Sequence, residues 1–330
     1  AFDDFDPKWS DYNRLVGLDF DLASANGKWG GKAFYHHTFS PNDKAFVGAN
    51  ATWLMYRSAN VEAHWNHEYV NENYNAEVGF VPRLSRYNPE TGAVEKHSYW
   101  RLEPSFAYKF FPKNGKVVNW HGPQIYYDGF FDEKFSETDR KIYLAYKVKF
   151  KNSSYLEVGY DEFYTKLFYD TDVTFTDQTA IAKGGYNYRD GYLFYKTDVR
   201  KRFTASLKTN IGGYYNGNKF TSKLTVGYRA QPWGIFSVVY DQDQIWLPGG
   251  RKASLHLIGP KFEFSFTRSI FFTTFFQYNT QRDNFNINAR FQWRFKPMSD
   301  LYLVYTDNYD QNLSVKNRAV VLKLIWWITL

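Results

Sequence analysis

The chain has 330 residues, a formal net charge of +7, no cysteine, and 28 Tyr, 31 Phe and 11 Trp. Absence of cysteine excludes disulfides, thiolate metal sites and cysteine nucleophiles together. No basic run or helical basic face turns the positive charge into a nucleic-acid footprint, so no nucleic-acid partner is expected.

A mean hydropathy of −0.57 looks soluble, whereas the aromatic load exceeds what one core needs. A transmembrane barrel reconciles the two, because each strand shows lipid on one side and water or a polar lumen on the other. No run reaches the roughly 18 apolar residues of a spanning helix; the longest apolar stretch is 324–330. The acidic opening AFDDFDPKW is unlike a signal peptide. Residues 1–13 are expected to be a leader or upstream connection, and 14–330 the barrel.

Along the chain, period-two alternation dominates. Apolar phases run through Val16, Leu18, Phe20, Leu22, then Val47, Ala49, Ala51, Trp53, then Ile142, Leu144, Tyr146, Val148. Further on, Phe203, Ala205, Leu207, Ile211 alternate with Thr204, Ser206, Lys208, Asn210, and Leu224, Val226, Tyr228 with Lys223, Thr225, Arg229. The clearest case is Phe285, Ile287, Ala289, Phe291, Trp293, Phe295 against Asn286, Asn288, Arg290, Gln292, Arg294. A strand with one apolar face produces this pattern and a helix does not. Turn signals at 41–44, 113–116, 151–154, 216–218, 248–250 and 297–300 separate the segments. Segments of about 10–14 residues fit tilted membrane strands better than the shorter strands of a soluble sandwich.

Counting back from a strand that ends at the periplasmic rim puts 297–300, 267–270, 231–233, 151–154 and 112–116 on the periplasmic side. The two longest connections, about 72–97 and 170–189, fall outside, the asymmetry expected of such barrels. About 17 strands are counted, within an expected 16–18 or more, whereas bacterial single-chain barrels normally have an even number. A bare strand edge in lipid is prohibitively costly. Either one strand boundary is misplaced or the wall is incomplete; missing N-terminal strands are the preferred expectation, and a second chain that closes the wall is the alternative.

The segments 11–22 (DYNRLVGLDFDL), 74–83 (YNAEVGFVPR) and 284–305 (NFNINARFQWRFKPMSDLYLVY) resemble a large, uncharacterised family of Bacteroidota outer-membrane barrels. The Phe-Gln-Trp-Arg strand, its Pro-x-Ser-Asp turn and the strand that follows are the most specific elements. Members typically join an N-terminal carbohydrate-binding-like module of family nine to a long C-terminal barrel. The resemblance covers most of the chain in patches. That module and the acidic, Phe-rich segment that usually opens the barrel have no counterpart here. The resemblance implies a C-terminal portion of a longer protein and brings no catalytic residues.

Candidate chemistry is sparse. His64 and His67, in the run HWNHE, are spaced by three rather than the four of a helical zinc site, and on a strand they face opposite sides. Asp170, Asp172 and Asp177, and Asp307, Asn308 and Asp310, offer oxygens without a calcium-loop spacing. No metal and no cofactor is therefore expected. Lys208, Lys223, Arg229, Arg290, Arg294 and Lys296 fall on the polar phase of their strands. They read either as an anion-favouring ladder in the lumen or as fillers paired with acids such as Glu157, Asp241 and Glu263. Trp233, Trp246, Tyr305, Trp326 and Trp327 read as membrane-interface girdles. Phe80 and Arg83 in the first long loop suggest a plug or docking element. Tyr87, Tyr99 and Trp100 are outer-loop aromatics on which a sugar could stack. No Gly-x-Ser-x-Gly elbow exists, and no Ser and His are evidently juxtaposed on the lipid-facing side.

The expectation is an all-β, antiparallel outer-membrane barrel of a Gram-negative bacterium, not an enzyme, acting as a porin-like channel, transporter or ligand-binding barrel. A glycan, suggested by the family's usual module, is one candidate ligand. The alternatives are an accessory subunit of a larger outer-membrane complex with a plugged lumen and, remotely, an outer-membrane hydrolase. Partners are membrane lipid, lipopolysaccharide and other outer-membrane proteins.

Overall fold

A segment with one oily and one polar face is stable when neighbours on both edges continue both faces, because every backbone group is then hydrogen-bonded. In the computed structural model the described residues are 12–41, 47–76, 81–174, 176, 180–281, 283–310 and 314–328. Most of the turn expected at 41–44 lies outside them, as do Phe80 and Asp177.

Among the described residues twenty strands follow one another: β1 (Arg14–Ala23), β2 (Trp29–Phe39), β3 (Gly48–Arg57), β4 (Val61–Val70), β5 (Ser85–Asn88), β6 (Ala93–Lys96), β7 (Tyr99–Leu102), β8 (Ser105–Tyr108), β9 (Val118–Phe131), β10 (Glu137–Phe150), β11 (Tyr155–Leu167), β12 (Gly184–Lys196), β13 (Phe203–Tyr214), β14 (Gly217–Ala230), β15 (Gly234–Leu247), β16 (Arg251–Ser265), β17 (Ile270–Asn279), β18 (Asn284–Lys296), β19 (Ser299–Tyr309) and β20 (Val315–Ile325). Apart from a short 3-10 turn at Pro248–Gly250, no helix occurs among the described residues.

The architecture is the expected antiparallel transmembrane barrel wall. Each wall strand pairs antiparallel with its sequence neighbours. β5 and β6 form a separate hairpin, and β7 and β8 share one place between β4 and β9. Seventeen crossings remain, the number counted from the sequence.

The register puts the two phases on opposite faces. On β18, Phe291 stands between Phe272 of β17 and Leu303 of β19, and Leu322 of β20 extends the same apolar row. Arg290, one residue away, faces Thr273 and Val304 on the lumen side. The oily row is solvent-accessible, as a lipid-facing surface must be: Leu18, Ile211, Phe203 and Leu322 are all well exposed.

One phase differs from expectation. Ala49, Ala51 and Trp53 of β3 face the lumen, because Ala51 sits opposite Glu68 and Trp53 opposite Asn66 of β4. Val47 and Ala49 are buried there with Val70, Tyr74 and Tyr99. The apolar phase of β3 serves a packed cluster beneath the first long loop rather than lipid.

The grouping of connections by rim agrees with the sequence reading. The short connections 58–60, 151–154, 231–233 and 297–298 share one rim with the end of β20. The long connections 71–98 and 168–183 share the other.

Among the described residues β1 pairs only with β2, and β20 only with β19. Nearly every residue of both strands is exposed, lumen phase included. With seventeen antiparallel crossings these two free edges run in the same direction.

Candidate functional site

The lumen wall from β4 to β12 is lined by carboxylates held by tyrosines and cations. Glu157 of β11 accepts from Tyr143 of β10 and Tyr192 of β12, each at 2.6 Å, and also from Tyr155, with Lys147 at 3.7 Å. Tyr192 reaches it by lying across Gly159, where a Cβ would come within 2.3 Å of the ring. Beside this cluster Arg101 donates to Asp128 at 2.8 and 3.0 Å and lies 3.2 Å from Glu103, which accepts from Tyr126 and Asn66. Lys141 is 3.1 Å from the buried Asp161. Glu157, Glu103 and Asp128 are satisfied braces, and a carboxylate so fully donated to is a structural element, whereas Asp161 keeps its buried Oδ1 without a hydrogen-bond partner.

At the outer rim the two long loops fold inward and meet. The sequence 88–92 (NPETG) turns the first into the β5–β6 hairpin; Gly92 supplies the positive φ of 70° that the turn requires. Arg86 on this hairpin lies 3.5 Å over the ring of Phe168 from the second loop, and Tyr169 donates to Glu95. Hydrogen bonds from Tyr169 and then Asn88 hold the Glu95 carboxyl below its ordinary range. The second loop reaches on across the mouth, where Gln281 donates to the Thr174 carbonyl at 3.2 Å and Tyr214 to that of Val173 at 2.9 Å. The two loops form one cap.

Between the cap and the rim of β9–β11 lies a cleft of about 240 Å³, lined by three cations, Arg83, Arg86 and Lys166, against two acids, Asp132 and Asp139. Arg83 donates to Asp139 at 2.7 Å, and Asp132 accepts from the amides of its own turn. Arg86 and Lys166 instead converge on Phe168, Lys166 at 5.1 Å. His97 also lines the cleft, its Nδ1 buried without a hydrogen-bond partner. Burial first, then Arg86, pushes the imidazole below its ordinary value of 6.5. The cleft therefore holds two half-buried cations with no carboxylate in ion-pair reach among the described residues, and beside them a buried ring nitrogen without a partner.

The residues singled out from sequence are distributed differently. Arg83 joins the cleft. Tyr87 is exposed on the hairpin. Tyr99 and Trp100 are strand residues, not loop residues. β7 begins at 99, so Tyr99 turns into the lumen and donates to Glu68, whereas Trp100 packs on Tyr69 of the outward face. No aromatic platform for a sugar is assembled from these three.

The basic ladder divides. Lys223 pairs with Asp241 at 3.0 Å and Arg294 with Asp300 at 3.2 Å. Lys208 stands directly opposite Lys223 and 5.2 Å from the Tyr192 ring. For Lys208, Arg229, Arg290 and Lys296 no ion pair occurs among the described residues. β13–β14 and β18 are separated by three strands, so the six do not form one ring.

Trp233 lies at the inner rim, as do Trp326 and Trp327 just past β20, and Trp246 is on the outward face near the outer rim, opposite Lys252. Tyr305 is outward too, but its hydroxyl donates to Asp307 at 2.5 Å. Asp307 is a β19 residue rather than a loop ligand. It is fully buried and also accepts from Tyr309 and Arg318. Asp172 caps the amides of Thr174 and Thr176, and Asp170 accepts from that of Lys183. His64 faces Trp53 in the lumen while His67 accepts from Trp65 outside. No metal-ligating cluster occurs among the described residues.

Arg86, His97, Lys166 and Phe168 escaped sequence reading because two loops and a strand bring them together. The turn signal in 88–92 was the one available clue to an ordered cap.

No model of a known protein family matches the sequence, and no curated protein matches it. Among solved structures, the ferric enterobactin receptor PfeA of Pseudomonas aeruginosa (R480A_Q482A mutant) is 8% identical, with a TM-score of 0.45 over 94% of this chain and 69% of that one. The siderophore receptor PirA of Acinetobacter baumannii is 10% identical, with a TM-score of 0.43 over 94% and 69%. Similarity this low says nothing of a shared ligand.

Proposed function

We propose that the chain forms the wall of an outer-membrane transport or ligand-binding barrel, with the cleft under the outer cap as its ligand site. The observation that carries this is the outward apolar phase around a wall most of whose lumen carboxylates are braced, together with an ordered cap over a cleft lined by the half-buried Arg86 and Lys166. The excess of cations suits an anionic ligand; a glycan has no support in the arrangement of Tyr87, Tyr99 and Trp100. The test uses the purified protein in planar bilayers. Stepwise conductance that citrate blocks from the loop side, and that R86E/K166E renders insensitive, supports the reading. A folded barrel that neither conducts nor responds to citrate overturns it.

The two free edges favour a second reading, in which this wall is part of a larger assembly. An unpaired edge leaves backbone groups in hydrocarbon, each costing several kcal/mol. Because β1 and β20 run the same way, an odd number of additional strands makes the wall antiparallel throughout. The Bacteroidota family that the sequence resembles carries additional chain ahead of such a wall, a source for those strands. Cross-linking of single cysteines in β1 and β20 in native membranes tests this. Capture of further strands supports it, whereas a direct β1–β20 cross-link defeats it.

A further inference from the structure

On a strand, residues two apart share a face, and on β16 this places Ser254 and His256 together on the outward side. Their phase is fixed by Ile258 and Phe262 on the same side and by the buried Ala253 on the other. The Ser254 hydroxyl is 2.9 Å from His256 Nε2, and His256 Nδ1 is 2.9 Å from the Tyr240 hydroxyl on β15. The side-chain amide of Gln244, directly opposite Ser254, donates to the serine oxygen at 2.6 Å. The His256 amide is tied to Thr280 at 2.8 Å, which fixes the backbone under the ring. A nucleophile, a base and a group orienting that base thus stand in the order that serine acyl transfer requires.

Height matters as much as geometry. Trp246 and Lys252 pair one step nearer the outer rim, and Ile258, 44% exposed, lies one step toward the middle of the wall. An interfacial tryptophan above and hydrocarbon-facing side chains below put the dyad at the level of the ester groups of the outer leaflet. The sequence reading found no serine and histidine juxtaposed on the lipid side; the structure juxtaposes them.

We propose that Ser254 and His256 form a hydrolytic site for acyl esters of membrane lipids, reached laterally from the bilayer. Ser254 Oγ attacks the ester carbonyl carbon while His256 Nε2 takes the hydroxyl proton. The carbon–alkoxide bond breaks, and the departing alcohol receives that proton. Water then adds to the acyl-serine, with His256 again moving the proton, and releases the carboxylic acid and free Ser254. Tyr240 is a positioning residue: by accepting from Nδ1–H it keeps Nε2 free to act as base. Gln244 is placed to donate to the oxyanion once the serine oxygen is bonded to carbon.

The protein is reconstituted in phosphatidylethanolamine–phosphatidylglycerol vesicles and treated with a long-chain alkyl fluorophosphonate, with fatty-acid release followed in parallel. The expected result is a covalent adduct on Ser254 together with lysolipid and fatty acid. Both are absent in S254A and reduced about 100-fold or more in H256A, while heat-modifiable electrophoretic mobility shows each variant folded. Y240F is expected to displace the pH profile of labelling rather than only its yield. A folded wild-type barrel that neither labels nor releases fatty acid overturns the proposal, as does labelling of Ser254 that H256A leaves unchanged. Conductance plays no part in this readout, so the transport reading stands or falls separately.

Discussion

The central wall and its two ends are built from the same alternation and differ in what completes it. In β10 and β11 each strand has a neighbour on both sides, and the lumen acids Asp161 and Glu157 are buried or half-buried among donors. In β1 and β20 the same pattern meets a neighbour on one side, and even Asp19 and Asp21 on the lumen phase remain exposed. In these four strands alternation marks the face that meets lipid; a second neighbour decides whether the strand is finished.

The comparison can be pressed first through the oily face. Leu144 lies at mid-strand in β10 and Leu18 at mid-strand in β1. L144R is expected to destabilise folding into vesicles by about 2–4 kcal/mol. L18R is expected to cost clearly less, since the face of an edge strand can hydrate. Equal costs, measured by denaturant titration in vesicles, would mean that β1 is as enclosed as β10 and would abolish the distinction.

Next in size is the polar side. E157L strands the hydroxyls of Tyr143, Tyr155 and Tyr192 and should lower stability by about 2–3 kcal/mol. D19L, at an exposed pair with Lys32, should be nearly silent in the same assay.

Hydrogen exchange sharpens the contrast without mutation. About every second amide of β1 and β20 should exchange quickly in detergent, because alternate backbone groups of an edge point away from the sheet. Amides of β10 and β11 should be protected throughout.

The smallest expected effect lies in the cap. The folded His97 imidazole titrates below its ordinary 6.5, so the opened cap binds more protons than the closed one. Cap stability is therefore complete above that ordinary value and falls as pH drops through it toward the lower folded value. The protection of residues 85–102, corrected for the intrinsic pH dependence of amide exchange, should fall between pH 8 and pH 5 in the wild type, and H97F should flatten that dependence.

Much of this was legible. Period two in 285–295 gave β18, the turn residues gave the connections, and the count of crossings and the placement of the long loops on one rim agree with the structure. β3 misled because its small apolar residues serve a cluster under a loop, and local alternation does not say which of two dry environments a residue enters. The Glu157 cluster was invisible because its donors come from three different strands, as was the contact of Arg86 with Phe168, which joins two loops. The Ser254–His256 pair was open to the same period-two argument that placed β18, and only its partners on β15 required the fold.

The absence of native cysteine makes the most direct test clean. Single cysteines from 285 to 295, spin-labelled in bilayers, report oxygen and aqueous-relaxer accessibility residue by residue. Odd positions should favour oxygen and even positions the aqueous agent, reversing at every step along β18. A uniform profile, or even positions in lipid, would contradict a wall with hydrocarbon outside and a polar lumen within.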